Sequence, residues 1–367
     1  MTCTMRELRT GAADGGAARA LPSFERIAVV GATGLVGREA LTLLAERSVE
    51  PERVSALASE RSGGGKAAYG GASIPVGVAT ERALRGVDLA LLCADSSVAR
   101  ALTPGLLARG VTVIDNSAAH RMDPSVPLVV PSVNGEALDG RPLLVANPNC
   151  STIILLSALD PLRRAFGVEA VDVATYQAAS GAGARGVEEL LRQARAFAAG
   201  ADAAPEAFPE PCLFNVFCHE SAVDPDTGLN GEEAKIIAES RRIWLDRALA
   251  VSPTCVRTPT LRAHAQAVRV RLMRPATERE VRERIALTPG LLVVDDRGRG
   301  RFPTPLRASG RDEVLVGRIR PDPATGCAGD ERCKAFQMFV CADQLRVGAA
   351  LNALRIAERL DALRGGG

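Results

Sequence analysis

No apolar run in the 367-residue chain approaches the roughly 18 consecutive residues that a membrane-spanning helix requires. Aromatic residues make up only 3% of the sequence, too few for the stacking platforms that hold single-stranded nucleic acid. The chain also lacks any long block of one charge: 45 basic and 43 acidic residues are interspersed, for a net charge of +2. Neither a nucleic-acid patch nor a membrane-binding face is therefore indicated. The cysteines are odd in number, nine, and follow no regular framework, so free thiols in a reducing cytoplasm are expected. Cys212 with Cys218 and Cys327 with Cys333 lack the close spacing of zinc ligands, and only His219 lies near either pair, so no metal site is expected. Histidine is confined to His120, His219 and His264, and lysine to Lys66, Lys235 and Lys334. Candidates for proton transfer at neutral pH are correspondingly few.

The chain is long enough for two cores, and two domains are the expectation. Residues 1–22, rich in Gly, Ala and Arg without an apolar core, read as a disordered leader rather than a signal peptide. From Ile27 the pattern is a short apolar strand, a glycine turn and an amphipathic helix. Further strands are expected at Val54–Ala58, Leu89–Cys93 and Val111–Ile114, with a helix at Ser97–Arg109 between the last two. Such alternation implies a doubly wound, Rossmann-type parallel sheet. After Cys150 longer β-rich runs appear at Val168–Gln177, Ala265–Met273 and Leu291–Val294, with helices near Gly186–Ala198 and Glu232–Leu249. These fit a second, α+β domain built on a mixed sheet. The apolar spacing in Gln344–Leu363 predicts a last helix that packs back on the first domain. The division expected is thus 23–149 plus 344–367 for the dinucleotide-binding domain and 150–343 for the second.

Between the first strand and its helix stands Gly31-Ala-Thr33-Gly34-Leu35-Val36-Gly37. The glycines permit a tight turn and let backbone N–H groups approach a pyrophosphate at the helix N-terminus. After the second strand, Ser59, Arg61 and Ser62 suit the 2′-phosphate of NADP, whereas Glu60 would suit a bare 2′-hydroxyl; NADP is the expected cofactor. Cys150 lies in Asn147-Pro-Asn-Cys-Ser-Thr152, a polar turn between two apolar runs. A strand ending there and a helix starting there place the thiol beside a helix N-terminus, which favours a thiolate near neutral pH. A dinucleotide fold with a thiol nucleophile points to aldehyde chemistry through a thioester, which needs an acid/base. His264 is the candidate, because it precedes a long strand with Arg257 and Arg262 nearby.

Taken together, Gly31 to Gly37, Asp115-Asn-Ser117 with Arg121-Met-Asp-Pro124, Asn147 to Thr152, Thr175-Tyr-Gln177 with Ser180-Gly-Ala-Gly183, and Cys255-Val-Arg257 with His264 seven residues on resemble the aspartate-β-semialdehyde dehydrogenase family. The resemblance runs from about Arg26 to Glu358. It implies that Cys150 is the nucleophile, His264 the general acid/base, and Gln177 the residue orienting the acyl intermediate. It implies further that Arg257 forks the substrate α-carboxylate, Glu232 meets its ammonium group, and Arg121, Asn116 and Lys235 bind phosphate. Ser180, Gly181 and Gly183 would lie against the nicotinamide, with Gln344 on its carboxamide. A homodimer or tetramer is implied as well, as is a step in lysine, threonine and methionine synthesis, the reduction of L-aspartyl 4-phosphate to aspartate semialdehyde. Three positions depart from the common pattern: Ser132 where many members carry glutamate, Ala265 where serine is common, and Gln344 after Asp343. A reductase of another acyl phosphate or of an acyl-CoA would keep Cys150 and His264 but not require Glu232. A non-catalytic paralogue serving as an assembly protein would typically lack the thiol or the histidine, and this chain retains both.

Overall fold

The computed structural model describes residues 21–327 and 331–365. It contains two seven-stranded sheets. The first comprises β1 (Ile27–Val30), β2 (Val54–Ala58), β3 (Lys66–Tyr69), β4 (Ala72–Val78), β5 (Leu89–Leu92), β6 (Thr112–Asp115) and β7 (Leu144–Ala146). They lie in the order β3-β4-β2-β1-β5-β6-β7. All pairs are parallel except β3 with β4. Each residue of β1, β5 and β6 is buried, as a parallel sheet covered on both faces demands. The order reverses at β1, which pairs with β2 on one side and β5 on the other. The ends of β1 and β5 therefore open the crevice in which doubly wound folds take ligands.

The glycine turn fits that crevice closely. Gly31 has φ 88°, and a Cβ there would sit 2.3 Å from the Cys93 carbonyl oxygen at the end of β5. A Cβ on Gly37 would sit 2.1 Å from the Gly31 oxygen, so the third glycine lets the helix Leu35–Glu46 close onto the strand end. Gly34 caps that helix with no side-chain hydrogen bond, and no acidic residue stands in its first turn. Its leading N–H groups are left for an anion.

The second sheet holds β8 (Val168–Gln177), β9 (Phe217–Cys218), β10 (Ala250–Arg257), β11 (His264–Ala276), β12 (Leu291–Val293), β13 (Val314–Pro321) and β14 (Cys333–Ala342). Their order is β12-β13-β14-β11-β8-β10-β9, with parallel pairs β8/β10 and β12/β13 among antiparallel neighbours. The helix Cys150–Phe166 joins the sheets and is buried along most of its length. It belongs to one apolar cluster that takes in Ile27 and Val29 from the first sheet and Val173 and Val340 from the second. A π-helical turn, Arg346–Ala350, leads into the last helix, Leu351–Gly365. That helix lies on the first sheet's side: Asn352 Nδ2 donates to the Val129 oxygen (2.9 Å) and Arg364 Nη2 to Thr112 Oγ1 (2.6 Å).

Several expected boundaries moved. β3 and β4, like β9, β10, β13 and β14 of the second sheet, lie outside the expected strands; in β4 the alternation of Ile74, Val76 and Val78 with Ser73, Pro75 and Gly77 is the signal that was passed over. The helix expected to reach Leu249 stops at Ile243, where Leu245 takes φ 54°. Residues 1–20 of the expected leader lie outside the described residues, whereas Leu21 is fully buried with Phe24. Among the described residues no helix is long and apolar enough to cross a membrane.

Gly31→Ala combines a left-handed backbone with a backbone clash, and a loss on the order of 1–3 kcal/mol is expected from the strained conformation alone. Gly65→Ala, where a Cβ meets nothing within 4 Å, serves as the control. Urea unfolding should show a lowered midpoint for the first and not the second; equal midpoints would refute this account of the turn.

Candidate active site

A cleft of about 420 Å³ lies between the two sheets' functional ends, lined by Cys150, Gln177, Gly181, Glu232, Lys235 and His264, and by Arg121. Cys150 is the first residue of its helix, behind the Asn149 N-cap. The Asn149 side chain accepts from Ser151 N (2.9 Å) and Thr152 N (3.3 Å). Its Nδ2 donates to Glu232 Oε1 (2.8 Å), and its backbone N donates to Glu239 Oε2 (2.6 Å). Both acids come from the helix Gly231–Ile243, so one helix face fixes the residue that holds Cys150. On the other side a Cβ at Gly348 would lie 2.8 Å from the Cys150 Cβ; the π-helical turn approaches the cysteine because that residue has no side chain.

Burial pushes the Cys150 thiol up to about 12, and the Glu232 carboxylate adds to the rise, against opposition from Arg121 and the Ser151 N–H. Burial outweighs the helix N-terminus, whose Ser151 N–H serves both the thiol and the Asn149 side chain. Burial would raise Glu232 too, but His219, Lys235, Asn149 and Gln177 outweigh it and hold the carboxyl at about 2. Lys235 Nζ stands 3.3 Å from Glu232 Oε2, and Gln177 Nε2 donates to Glu232 Oε1 (3.0 Å) and to Ser151 Oγ (2.7 Å).

His264 opens β11 and is fully buried. Burial, with the positive charge of Arg257, lowers its imidazole to about 3, so it is neutral at pH 7. Its Nδ1 accepts from Ala178 N (3.1 Å), which places the ring hydrogen on Nε2. Nε2 has no hydrogen-bond partner among the described residues. Ala263, just before it, takes φ 71° and donates its N–H to Gln344 Oε1 (2.8 Å). A Cβ at Gly181 would fall 2.8 Å from Arg257 Nη1 and 3.1 Å from His264 Cε1, so that glycine is the space in which the two side chains meet the cleft.

Other expected site residues are placed differently. Arg257 stands behind the cleft wall and faces Glu220. Arg121 Nε donates to the Asn147 oxygen (2.9 Å), Nη1 to Glu239 Oε1 (3.2 Å) and Nη2 to the Asn116 oxygen (2.8 Å). Asn116 turns its own amide away, to the Leu92 oxygen and Cys93 Sγ. The Gln344 amide donates to Ser180 Oγ, so both of its ends are engaged by protein. Ser59 and Arg61 are exposed and Ser62 half-buried on the turn after β2, beyond the cleft; Thr33, Leu35 and Val36 are half-buried around the glycine turn, and Gly183 takes φ 78° at the start of its helix.

Sequence reasoning missed Asn149, Glu239, His219, Glu220 and Gly348. A signal for Glu239 was present: Glu232, Ile236, Glu239 and Ile243 share one helix stripe, and acids on an apolar stripe mark buried charge.

Chemically, the cleft offers a thiol, a neutral imidazole presenting N–H, and cations at Arg121 and Lys235. Residues 26–141 match the semialdehyde dehydrogenase NAD binding domain family, and residues 159–347 the semialdehyde dehydrogenase dimerisation domain family. The aspartate-semialdehyde dehydrogenase of Synechocystis sp. is 39% identical over 93% of this chain and 98% of its own, and that of Aquifex aeolicus 41% identical over 91% and 97%. The crystal structure of Vibrio cholerae aspartate semialdehyde dehydrogenase II complexed with ASA superposes with a TM-score of 0.84 at 36% identity, covering 91% of this chain and 97% of that one.

Alkylation of Cys150 in the unliganded protein should track its thiolate fraction. With the thiol near 12, the iodoacetamide rate should climb about tenfold per pH unit through neutral and mildly alkaline pH. A plateau below pH 8 would mean that the helix terminus outweighs burial.

Proposed function

The chain belongs to the aspartate-semialdehyde dehydrogenase family, and from that premise we propose that it reduces L-aspartyl 4-phosphate to L-aspartate 4-semialdehyde through a thioester on Cys150, using NADPH. The observation that carries this reading is the meeting of Cys150, Gln177, Lys235 and His264 around one cleft, with the Nε2 of His264 unpartnered.

The Cys150 thiol gives up its proton as its sulfur attacks the acyl carbon; the S–C bond forms, the C–O bond to phosphorus breaks, and the phosphate that leaves carries that proton away. Arg121 and Lys235 are the cations on the cleft wall that offset phosphate charge, with Asn116 supporting Arg121 through its backbone oxygen. The Gly31 turn would hold the pyrophosphate of NADPH, which would supply the hydride that reduces the thioester. His264 shares the hydrogen on Nε2 with the oxygen that gains negative charge as the thioester is reduced, and recovers it as the carbonyl re-forms. When the C–S bond breaks, Cys150 leaves as a thiolate and takes up one proton from solvent, the proton that reduction by NADPH consumes. Gln177, held by Ser151 and Glu232, orients the acyl oxygen. Glu232 takes the substrate ammonium, and Arg257 the α-carboxylate.

The dinucleotide reading rests on the Gly31 turn, whose cradle a Cβ would fill, and on the uncapped helix start behind it. Ser180, Gly181, Gly183 and Gln344 line the nicotinamide end. Arg61, with Ser59 and Ser62, favours the 2′-phosphate of NADP over NAD. Residues 23–149 with 344–367 form the cofactor domain, and 150–343 the catalytic and dimerisation domain. The match to a dimerisation domain supports a homodimer. The open hollow over β8, β10 and β11, walled by Asp172, Ser252 and Ala267, is the surface for it. In a cytoplasmic setting the product would serve lysine, threonine and methionine synthesis.

The test is phosphate-dependent reduction of NADP by the purified protein with L-aspartate semialdehyde. Activity should vanish in Cys150→Ala and fall by roughly 10² to 10⁴ fold in His264→Ala, the scale of a lost general acid/base. Tight NADP binding without turnover would shift the reading to another acyl substrate, and a His264→Ala effect within a factor of a few would remove His264 from its role.

A further inference from the structure

The arginine assigned to the substrate α-carboxylate already holds a carboxylate. Arg257 Nε donates to Glu220 Oε2 (3.1 Å) and Nη2 to Glu220 Oε1 (2.5 Å), a two-point fork. The other edge of the guanidinium is divided: Nη1 donates to the Ala178 oxygen (2.6 Å) and Nη2 lies 3.1 Å from His219 Nε2. No two-point face of Arg257 is left for a third partner. The two members of the pair differ in freedom. The Arg257 side chain is 1% exposed and that of Glu220 21%. Arg257 is pinned by the Ala178 oxygen and lies over the Phe208 ring, 5.5 Å from its centroid. Glu220 sits on the irregular chain between β9 and the helix that starts at Gly231, and it lines the cleft.

We propose that Glu220 is an internal stand-in for the substrate's α-carboxylate, which an incoming amino acid must displace from Arg257, so that Glu220 sets substrate affinity and selectivity. The inference rests on the proposed reading of Arg257 as the carboxylate anchor. Its physical basis is that one carboxylate replaces another in the same two-point geometry, so the net affinity is the difference between two charge-assisted pairs rather than the whole of one. Displacement moves Glu220 toward the cleft, where its freed charge has Lys235 and the substrate ammonium within the same cavity.

The experiment compares the full-length protein with Glu220→Gln on three aldehydes. L-aspartate semialdehyde carries both α-groups, succinic semialdehyde only the carboxylate, and 3-aminopropanal only the amine. Removing the competing charge should lower KM for the first two by roughly tenfold, the scale of one charge-assisted hydrogen-bonded pair, and leave KM for 3-aminopropanal and kcat for L-aspartate semialdehyde within about twofold. A raised KM for L-aspartate semialdehyde and 3-aminopropanal, with succinic semialdehyde unchanged, would overturn the proposal and make Glu220 the ammonium partner. A raised KM for the two carboxylate-bearing aldehydes would overturn it by making Glu220 a brace for Arg257. Calorimetric binding of L-2-aminobutyrate, the substrate skeleton without its aldehyde, reads the same displacement without turnover. Tighter binding to Glu220→Gln supports the proposal, while equal affinity or no binding to either protein overturns it. Failure of both proteins to turn over L-aspartate semialdehyde would sink the functional reading alone.

Discussion

Asn149 is held from two sides by buried carboxylates, its amide by Glu232 and its backbone N–H by Glu239, and the position of the reactive thiol depends on that grip. The same asparagine caps the helix that begins at Cys150, so the acids, the cap and the thiol form one mechanical unit. Two carboxylates so close together, both removed from water, would each favour protonation. Burial does raise Glu239, opposed by Arg121 and the Asn149 N–H, while the donors around Glu232 keep it ionised. The charges are thus settled by partners from four segments: His219 after β9, Lys235 from the acids' own helix, Gln177 at the end of β8, and Arg121 after β6. Breaking such a pair by removing one member leaves an uncompensated buried charge, at a cost of about 3–5 kcal/mol. The cleft is therefore braced by buried charge at Cys150, whereas its Glu220 wall is irregular chain between β9 and the helix Gly231–Ile243.

A second set of ion pairs ties the glycine turn to the segment that carries His264. Arg262 joins Glu39, on the helix behind the glycine turn, to Asp343 at the end of β14 (2.7 and 2.6 Å). Arg346 joins Glu39 and Glu46 on that helix to Asp312. His264 follows Arg262 by two residues, and Gln344 follows Asp343 by one. The left-handed Ala263, clamped through its N–H to Gln344, turns the chain so that His264 enters β11 with its ring aimed at the cleft. Strain at a non-glycine residue beside a functional side chain persists when surrounding contacts over-determine it. The position of the glycine turn relative to His264 is set by these contacts between the sheets.

Much of this was legible in the sequence where a feature is local. The Gly31 turn, the helix start at Cys150 and the strand start at His264 each depend on a few adjacent residues, and each is found where the pattern placed it. Properties set by distant residues were not legible. The Cys150 thiol was expected to be acidic at its helix terminus, but burial among segments far apart in sequence outweighs the Ser151 N–H, which the Asn149 side chain also uses. Arg257 ends β10, a strand that the sequence analysis does not expect, and the Glu220 that fills its fork is 37 residues away in the chain. Asn116 follows its strand as expected, and its amide direction is decided by the neighbouring strand end at Leu92 and Cys93. Glu239 was the readable omission, since its place on the Ile236–Ile243 stripe could be counted from Glu232.

The claim on which the account stands is that Cys150 carries the acyl group. The direct measurement is to mix the protein with L-aspartyl 4-phosphate in the absence of dinucleotide, quench in acid, and map the labelled peptide by mass spectrometry while measuring phosphate. The account predicts an aspartyl adduct on Cys150 formed in step with one equivalent of phosphate. Phosphate release with Cys150 unmodified, or an adduct on another residue, would contradict it.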